Sequence, residues 1–213
     1  MLIHGPVERQ SLYLTFDDGP DPVWTPVVLD ILEAAGVMAT FFVIGKQARS
    51  IPSMLRRVAA AGHTIGNHTW SHRHPWTMSP IGARREVSDG TAAISDVLGF
   101  PPGFFRPPHG RVRRCMLDEA ENAGQTAVLW SLSAVDWGPL GHADRIAHRL
   151  GKAAPGDIVL MHDGGHNKPA QLASVLPAFL ARAQSSGLNM RSLGSGLSSL
   201  PPHRHRVFSL RAQ

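Results

Sequence analysis

Short hydrophobic runs alternate along the chain with segments in which apolar residues recur at helical spacing. Residues 11–16 are mostly apolar and end just before Gly19-Pro20, which predicts a buried strand. Similar runs predict strands at residues 37–43, 126–130, 157–162 and 188–193. Helical spacing predicts helices at residues 25–35, 52–61, 80–98, 116–123, 143–150 and 169–185. This alternation favours an α/β fold with a parallel sheet closed or partly closed into a barrel.

Ionisable side chains stand at or just after the ends of several strand-like runs. Asp17 and Asp18 follow the first run, and Arg106, Asp136 and His162 stand after or at the ends of later ones. The carboxyl ends of the strands of an α/β barrel lie on one face, where loops assemble an active site. The sequence therefore predicts one functional site that is built from distant segments.

Asp17 and Asp18 are adjacent carboxylates at a predicted strand end. Neighbouring carboxylates are costly to bring together unless a cation or a proton separates their roles. One of them can then bind a metal while the other acts as a base. Taken alone, an Asp-Asp-Gly segment is more often a simple turn between two elements.

His68 and His72 are four residues apart, so on one helical turn both imidazoles would face the same way. Two histidines and one carboxylate make a three-ligand site with an open position, the composition of a catalytic zinc site. The pair alone is a weak signal because the chain has 12 histidines. Ordinary surface or loop positions are expected for His63, His74, His142, His148, His166, His203 and His205.

The remaining clusters are also ambiguous when they are taken one at a time. Arg106 is followed by two prolines, so it can hold a carboxylate in bidentate geometry, although a stiff surface turn fits equally well. Asp136-Trp137 comes after the apolar run at residues 126–130. His162 ends a β-rich run, where a partly buried structural histidine is the alternative.

Together the five clusters resemble the NodB-homology polysaccharide deacetylases, carbohydrate esterase family 4. The family motifs TFDDG, H-[ST]-x-x-H, an R-x-P-x-G-like segment, a D-W segment and L-x-H occur here in that order, from Thr15 to His162. The chitooligosaccharide deacetylases are the most similar group. The resemblance implies a distorted (β/α)7 barrel as a single domain at residues 1–193, with a loose C-terminal tail at residues 194–213.

The resemblance also implies roles for the ionisable residues. Asp18, His68 and His72 would hold a divalent metal, with zinc expected and cobalt(II) or nickel(II) as alternatives. Metal-activated water would attack the acetyl carbonyl, with Asp17 as general base and His162 as general acid. The resemblance further implies that Arg106 would orient Asp17 and that Asp136 would hold His162 charged.

Four further residues are predicted to contact the substrate. The backbone N–H of His109 would stabilise the oxyanion, and Trp137 and Leu160 would wall a pocket for the acetyl methyl. Trp76 either stacks on a sugar ring or packs on the barrel. Two positions depart from the family, which usually has an aromatic residue in place of His109 and often an aspartate in place of Ser133.

The expected reaction is removal of N-acetyl groups from oligo- and polysaccharides that contain N-acetylglucosamine, with chitooligosaccharides favoured. Such an enzyme is an amidase that acts on linear amides other than peptide bonds. Peptidoglycan N-deacetylation and acetylxylan esterase activity are the alternatives. A non-catalytic glycan-binding module is the alternative from a different class, although every proposed ligand, base and acid is present.

Composition excludes other classes of function. The net charge is +5, but the basic residues form no stripe with stacking aromatics, which argues against nucleic-acid binding. No apolar stretch is long enough for a membrane span, and the first residues lack a signal-peptide pattern. A cytoplasmic monomer is expected, with the mature form of an exported protein as the alternative. Cys115 is the single cysteine, which rules out an intrachain disulfide.

Overall fold

The computed structural model describes residues 1–7, 10–165, 167 and 169–194. Apart from Gly194, the predicted tail lies outside the described residues. Within them, one sheet contains eight strands: β1 (Ser11–Asp17), β2 (Thr40–Val43), β3 (Thr64–Asn67), β4 (Phe104–Phe105), β5 (Thr126–Ala127), β6 (Leu132–Ser133), β7 (Ile158–His162) and β8 (Asn189–Arg191).

The described helices alternate with these strands. They are α1 (Trp24–Ala35), α2 (Gly45–Ser50), α3 (Pro52–Ala60), α4 (Pro80–Leu98), α5 (Arg114–Asn122), α6 (Ala143–Leu150) and α7 (Pro169–Ser185). The predictions at residues 80–98, 143–150 and 169–185 are confirmed to the residue. None of the helices in the described part of the chain has the length and apolar character needed to cross a membrane.

Local signals explain why α4 was predictable. The Ser79 hydroxyl accepts a hydrogen bond from the Gly82 N–H, Pro80 stands at the first helical position, and Gly99 ends the helix with a φ of 83°. The strand predicted at residues 37–43 begins later, at Thr40, because the Val37 N–H still bonds the Leu32 carbonyl at the end of α1.

The sheet has the strand order β5-β4-β3-β2-β1-β7-β6, and all these pairings are parallel. β8 pairs with the first half of β1. The sheet curls into a half-barrel, which confirms the prediction of a partly closed barrel. β1 is central, and its register places Asp17 directly beside His162 of β7.

The alternation of side chains along β1 separates two environments. Leu12, Leu14 and Phe16 belong to the main core, which the helices cover. Tyr13 belongs to a second, smaller cluster on the other face, together with Phe42. Side chains of a strand alternate between the faces of the sheet, so Thr15 and Asp17 share the inner face with Tyr13. The inner face of the half-barrel therefore carries the polar residues that form the site.

Candidate metal and catalytic site

The three predicted metal ligands lie close together. Asp18 Oδ1 is 3.3 Å from His72 Nε2 and 3.6 Å from His68 Nε2. One ligand atom from each of the three residues lies within 4.8 Å of the others. Asp18 Oδ1 is buried and has no hydrogen-bond partner among the described residues. A buried carboxylate oxygen without a partner that faces two imidazole nitrogens fits a divalent cation.

The two histidines do not lie on a helical turn, so that expectation was wrong. β3 ends at Asn67, and the loop after it has a positive φ at Thr69 (69°) and at His72 (58°). Asn67 Oδ1 accepts from the Thr69 N–H, and Thr69 Oγ1 accepts from the His72 N–H. These bonds fold the loop back, which leaves the His68 and His72 ring centroids 4.8 Å apart.

The turn that carries Asp18 also has a left-handed backbone. Asp17 is the last residue of β1, and Asp18 has a φ of 75°, a conformation that aspartate tolerates better than most residues. Both carboxylates then approach His68, whose Nε2 lies 3.6 Å from Asp17 Oδ2 as well as from Asp18 Oδ1. The adjacent carboxylates thus share one imidazole nitrogen as a neighbour.

His68 is held in the form that ligates metals. Its Nδ1 lies 2.7 Å from the Arg106 carbonyl oxygen, so Nδ1 carries the donated proton and Nε2 faces Asp18. Burial, and then the neighbouring His72, hold the pKa of His68 well below its ordinary value of 6.5. A neutral ring with a free Nε2 lone pair results.

Arg106 is completely buried and holds the Asp17 carboxylate in place. Its Nη1 donates to Asp17 Oδ1 at 2.7 Å and to Thr15 Oγ1 at 2.8 Å. Its Nη2 donates to the Leu129 carbonyl at 2.9 Å, and its Nε donates to the Val128 carbonyl at 3.4 Å. The contact with Asp17 is therefore a single hydrogen bond, and the predicted bidentate pair was wrong. Burial lowers the pKa of Arg106, and Asp17 raises it in opposition.

His162 and Asp136 form the second buried pair. His162 Nδ1 lies 2.8 Å from Asp136 Oδ1, and the His162 backbone N–H donates to Asp136 Oδ2 at 2.8 Å. Burial lowers the pKa of His162, but the Asp136 carboxylate, with smaller effects of Asp17 and Asp18, outweighs burial and the pKa rises to about 9. The imidazole is consequently protonated at neutral pH, which suits a general acid.

An open cavity of about 590 Å³ joins these groups. Eight predicted site residues line it: Asp17, Asp18, His68, His72, His109, Trp137, Leu160 and His162. Arg106 and Asp136 stand behind its wall as fully buried supports. Trp76 is not among its lining residues, and its side chain is 62% exposed with the Arg113 guanidinium 5.4 Å from its ring.

The structure adds residues that the sequence did not single out. Trp130, Ile44, Gln47 and Asn167 also line the cavity. Asn167 Nδ2 donates to Asp18 Oδ2 at 2.7 Å, a contact that no motif or spacing indicates. His63, which was expected at an ordinary surface or loop position, is instead buried and accepts a hydrogen bond from the Ala39 N–H.

Comparison with known proteins identifies the family. The model of the family described as "Polysaccharide deacetylase" matches residues 4–128. This chain belongs to the polysaccharide deacetylase family. A chitooligosaccharide deacetylase of Rhizobium leguminosarum bv. trifolii is 34% identical, and the match covers 96% of this chain and 91% of the relative.

Two peptidoglycan-N-acetylglucosamine deacetylases of Bacillus cereus are also similar to this polysaccharide deacetylase. One is 38% identical over 76% of this chain, and the chain spans 60% of that relative's length. The other is 37% identical over 81% of this chain and 83% of its own length. The sequence-based assignment to this family and to deacetylase chemistry is therefore confirmed.

Solved structures confirm the fold of this deacetylase. The crystal structure of a peptidoglycan N-acetylglucosamine deacetylase in complex with 4-naphthalen-1-yl-N-oxidanyl-benzamide has a TM-score of 0.86 and 32% identity, and the match covers 92% of this chain and 91% of that one. A family 4 carbohydrate esterase from Streptomyces lividans in complex with acetate has a TM-score of 0.77 and 30% identity, covering 85% and 91% of the two chains.

Proposed function

We propose that this deacetylase is a metal-dependent hydrolase that removes N-acetyl groups from glycans containing N-acetylglucosamine. Chitooligosaccharides are the favoured substrate class, and peptidoglycan and acetylated xylan are the alternatives. The observation that carries the proposal is that one cavity holds Asp18, His68 and His72 together with Asp17 and His162. The names of the relatives support the same reaction on the same type of sugar.

Asp18, His68 and His72 would hold the cation. Two imidazoles and one carboxylate are common zinc ligands, so zinc is the first choice, with cobalt(II) and nickel(II) as alternatives. When bound, the cation supplies Lewis-acid polarisation and lowers the pKa of water at the site. The open cavity beside the three ligands leaves room for water and the acetyl group.

Asp17 acts as the general base. Its Oδ1 is fixed by Arg106 Nη1, whereas its Oδ2 lies 3.6 Å from His68 Nε2, and Asp17 lines the cavity. The bond from Arg106 to Oδ1 fixes the orientation of the carboxylate and leaves Oδ2 as the oxygen that can take a proton. Oδ2 accepts the proton of the attacking water as the new bond to the acetyl carbon forms.

His162 acts as the general acid. The Nδ1–H of His162 is hydrogen-bonded to Asp136, so Nε2 is the ring nitrogen that can donate a proton to a substrate in the cavity. The charged ring gives its proton to the sugar nitrogen as the amide bond breaks, and the amine then leaves. Asp136 keeps the ring charged until the proton is transferred and keeps it oriented throughout.

The remaining predicted residues shape the substrate's surroundings. Trp137 and Leu160 stand on the cavity wall next to His162, with the Trp137 ring 5.2 Å from the His162 ring. They would enclose the acetyl methyl group, and the His109 N–H would stabilise the oxyanion. Trp76 lies outside the cavity, where its exposed ring would stack on a more distant sugar unit.

The Asp136→Asn variant is expected to narrow the active pH range. In the parent, activity falls as the pH rises through about 9, because His162 then loses its proton. Without the Asp136 charge, burial is opposed only by the more distant Asp17 and Asp18 carboxylates, so the His162 pKa falls below about 9 and the descending limb moves to lower pH. The pH profile of kcat measures the shift. A descending limb at the same pH in Asp136→Asn as in the parent would contradict the role of His162 as the general acid.

Acetate release tests the function itself. The parent protein is expected to release acetate from N-acetylglucosamine tetramer, to lose this activity after chelation and to regain it with zinc. Release that is insensitive to chelation would contradict the metal site. Release from acetylated xylan or peptidoglycan alone would reassign the substrate, and no release from any acetylated glycan would favour a non-catalytic glycan binder.

A further inference from the structure

Residues 163–165, which follow β7, pack against the turn that carries Asp18. A Cβ atom added to Gly164 would lie 2.8 Å from the Asp18 carbonyl oxygen, and one added to Gly165 would lie 2.9 Å from Asp18 Oδ2. Side chains do not fit at such distances, so this approach requires glycine. The Asp163 N–H also donates to the Asp17 carbonyl at 3.2 Å. This segment therefore follows the backbone of both Asp17 and Asp18.

Asn167 makes a directed contact from this loop to the metal ligand. Its Nδ2 donates to Asp18 Oδ2 at 2.7 Å and to the Gly164 carbonyl at 2.7 Å. A side-chain amide has two N–H donors, so both bonds form at once. Both partners are oxygen acceptors, so the NH2 end of the Asn167 amide must be the end that faces them. Asp18 Oδ1, in contrast, faces the two imidazoles and has no hydrogen-bond partner among the described residues.

We propose that Asn167 is a positioning residue that holds Asp18 as a one-oxygen ligand. Because Asn167 donates a hydrogen bond to Oδ2, only Oδ1 is available to the cation that the proposed function requires. A carboxylate that is free to rotate can bind a cation with both oxygens and fill a position that water or substrate needs. Partners outside the ligand set commonly orient the ligands and tune metal affinity.

A purely structural role for Asn167 would have a different signature. Its bond to the Gly164 carbonyl closes the loop on itself, and loss of that bond alone would loosen the loop whether or not metal is present. A positioning role instead changes the metal complex and leaves the metal-free fold intact. Metal affinity and the coordination spectrum therefore separate the two roles.

The test compares Asn167→Ala with the parent protein. Zinc affinity, measured by competition with a chelator, is expected to weaken by roughly 10- to 100-fold, the usual range for such outer contacts. The visible spectrum of the cobalt-loaded protein is expected to change, because Asp18 is then no longer held in one orientation. The melting temperature of the metal-free protein is expected to stay the same. Asn189→Ala, at an exposed position at the start of β8, serves as the control and should leave all three readouts unchanged.

Each outcome has a definite meaning. Zinc affinity within twofold of the parent, with an unchanged cobalt spectrum, would overturn the role of Asn167 and leave the proposed metal site standing. A parent protein that binds no zinc or cobalt would overturn the metal site and this inference with it. If Asn167→Ala lowers the metal-free melting temperature, Asn167→Leu keeps the bulk without a donor, and normal zinc affinity in that variant would refute the proposal.

Discussion

Asp17→Asn is expected to keep its metal and to lose turnover by roughly 10²- to 10⁴-fold, the usual contribution of a general base. The substitution preserves the shape of the side chain and an oxygen for the Arg106 Nη1 bond, but it removes the basic oxygen at Oδ2. The proposed metal ligands Asp18, His68 and His72 are untouched. Acetate release and bound zinc are measured on the same preparation.

The same substitution has a cost in stability that must be measured separately. Arg106 is completely buried, and Asp17 is its ion-pair partner at 2.7 Å. Breaking a buried pair by removing one partner typically costs about 3–5 kcal/mol, because the remaining charge is uncompensated. The amide oxygen still accepts a hydrogen bond, so the loss in unfolding free energy is expected at or below the lower end of that range. Denaturant unfolding checks that the variant is folded under the assay conditions.

Asp89→Asn is a suitable control for this prediction. Asp89 is an exposed residue of α4, and its substitution removes the same charge without touching the cavity. Full turnover in the control and lost turnover in folded, zinc-loaded Asp17→Asn would support the base assignment. Normal turnover in Asp17→Asn would transfer the role of base to another group.

The candidate residues that the structure brings together in the cavity could be predicted from the sequence because the prediction depends on residue type and order. Asp17, Asp18 and His162 follow or end apolar runs, and such runs predict strands from local pattern alone. The strand ends then meet on one face by the geometry of parallel sheets. The structure shows this for Asp17 and His162, which lie side by side in the register of β1 and β7.

The geometry of the site was not accessible, because it depends on contacts between distant segments. The loop between His68 and His72 is held by hydrogen bonds and left-handed residues, which a spacing of four residues does not reveal. Most of the hydrogen bonds that Arg106 donates go to Thr15 and to backbone carbonyls, so it makes one bond to Asp17 instead of two. Tertiary packing determines which acceptors lie within reach of Arg106.

The short strands and outer contacts were missed for similar reasons. β3 has the sequence TIGN, which has too few apolar residues to read as a strand, and it is fixed by pairing with β2. Asn167 contacts Asp18 across 149 residues of sequence. A single polar residue in a loop has no periodicity, so only the folded chain shows what it touches.

His72→Ala is expected to abolish tight zinc binding and acetate release together. His72 Nε2 is the imidazole nitrogen closer to Asp18 Oδ1, at 3.3 Å, and its ring is one of two that complete the ligand set. Loss of a direct ligand should weaken zinc affinity well beyond the roughly 10- to 100-fold expected for an outer contact. Zinc content after dialysis and chelator competition measure the effect.

His148→Ala is the matched control because His148 is an exposed residue of α6. His72 is only half-buried and lies in a loop, so its removal should leave the sheet and its unfolding free energy largely intact. Loss of zinc with an unchanged fold would show that His72 acts by coordination. Zinc content equal to that of the control would instead show that Asp18 and His68 hold the cation without it, and the open cavity beside them would then contain a different third ligand.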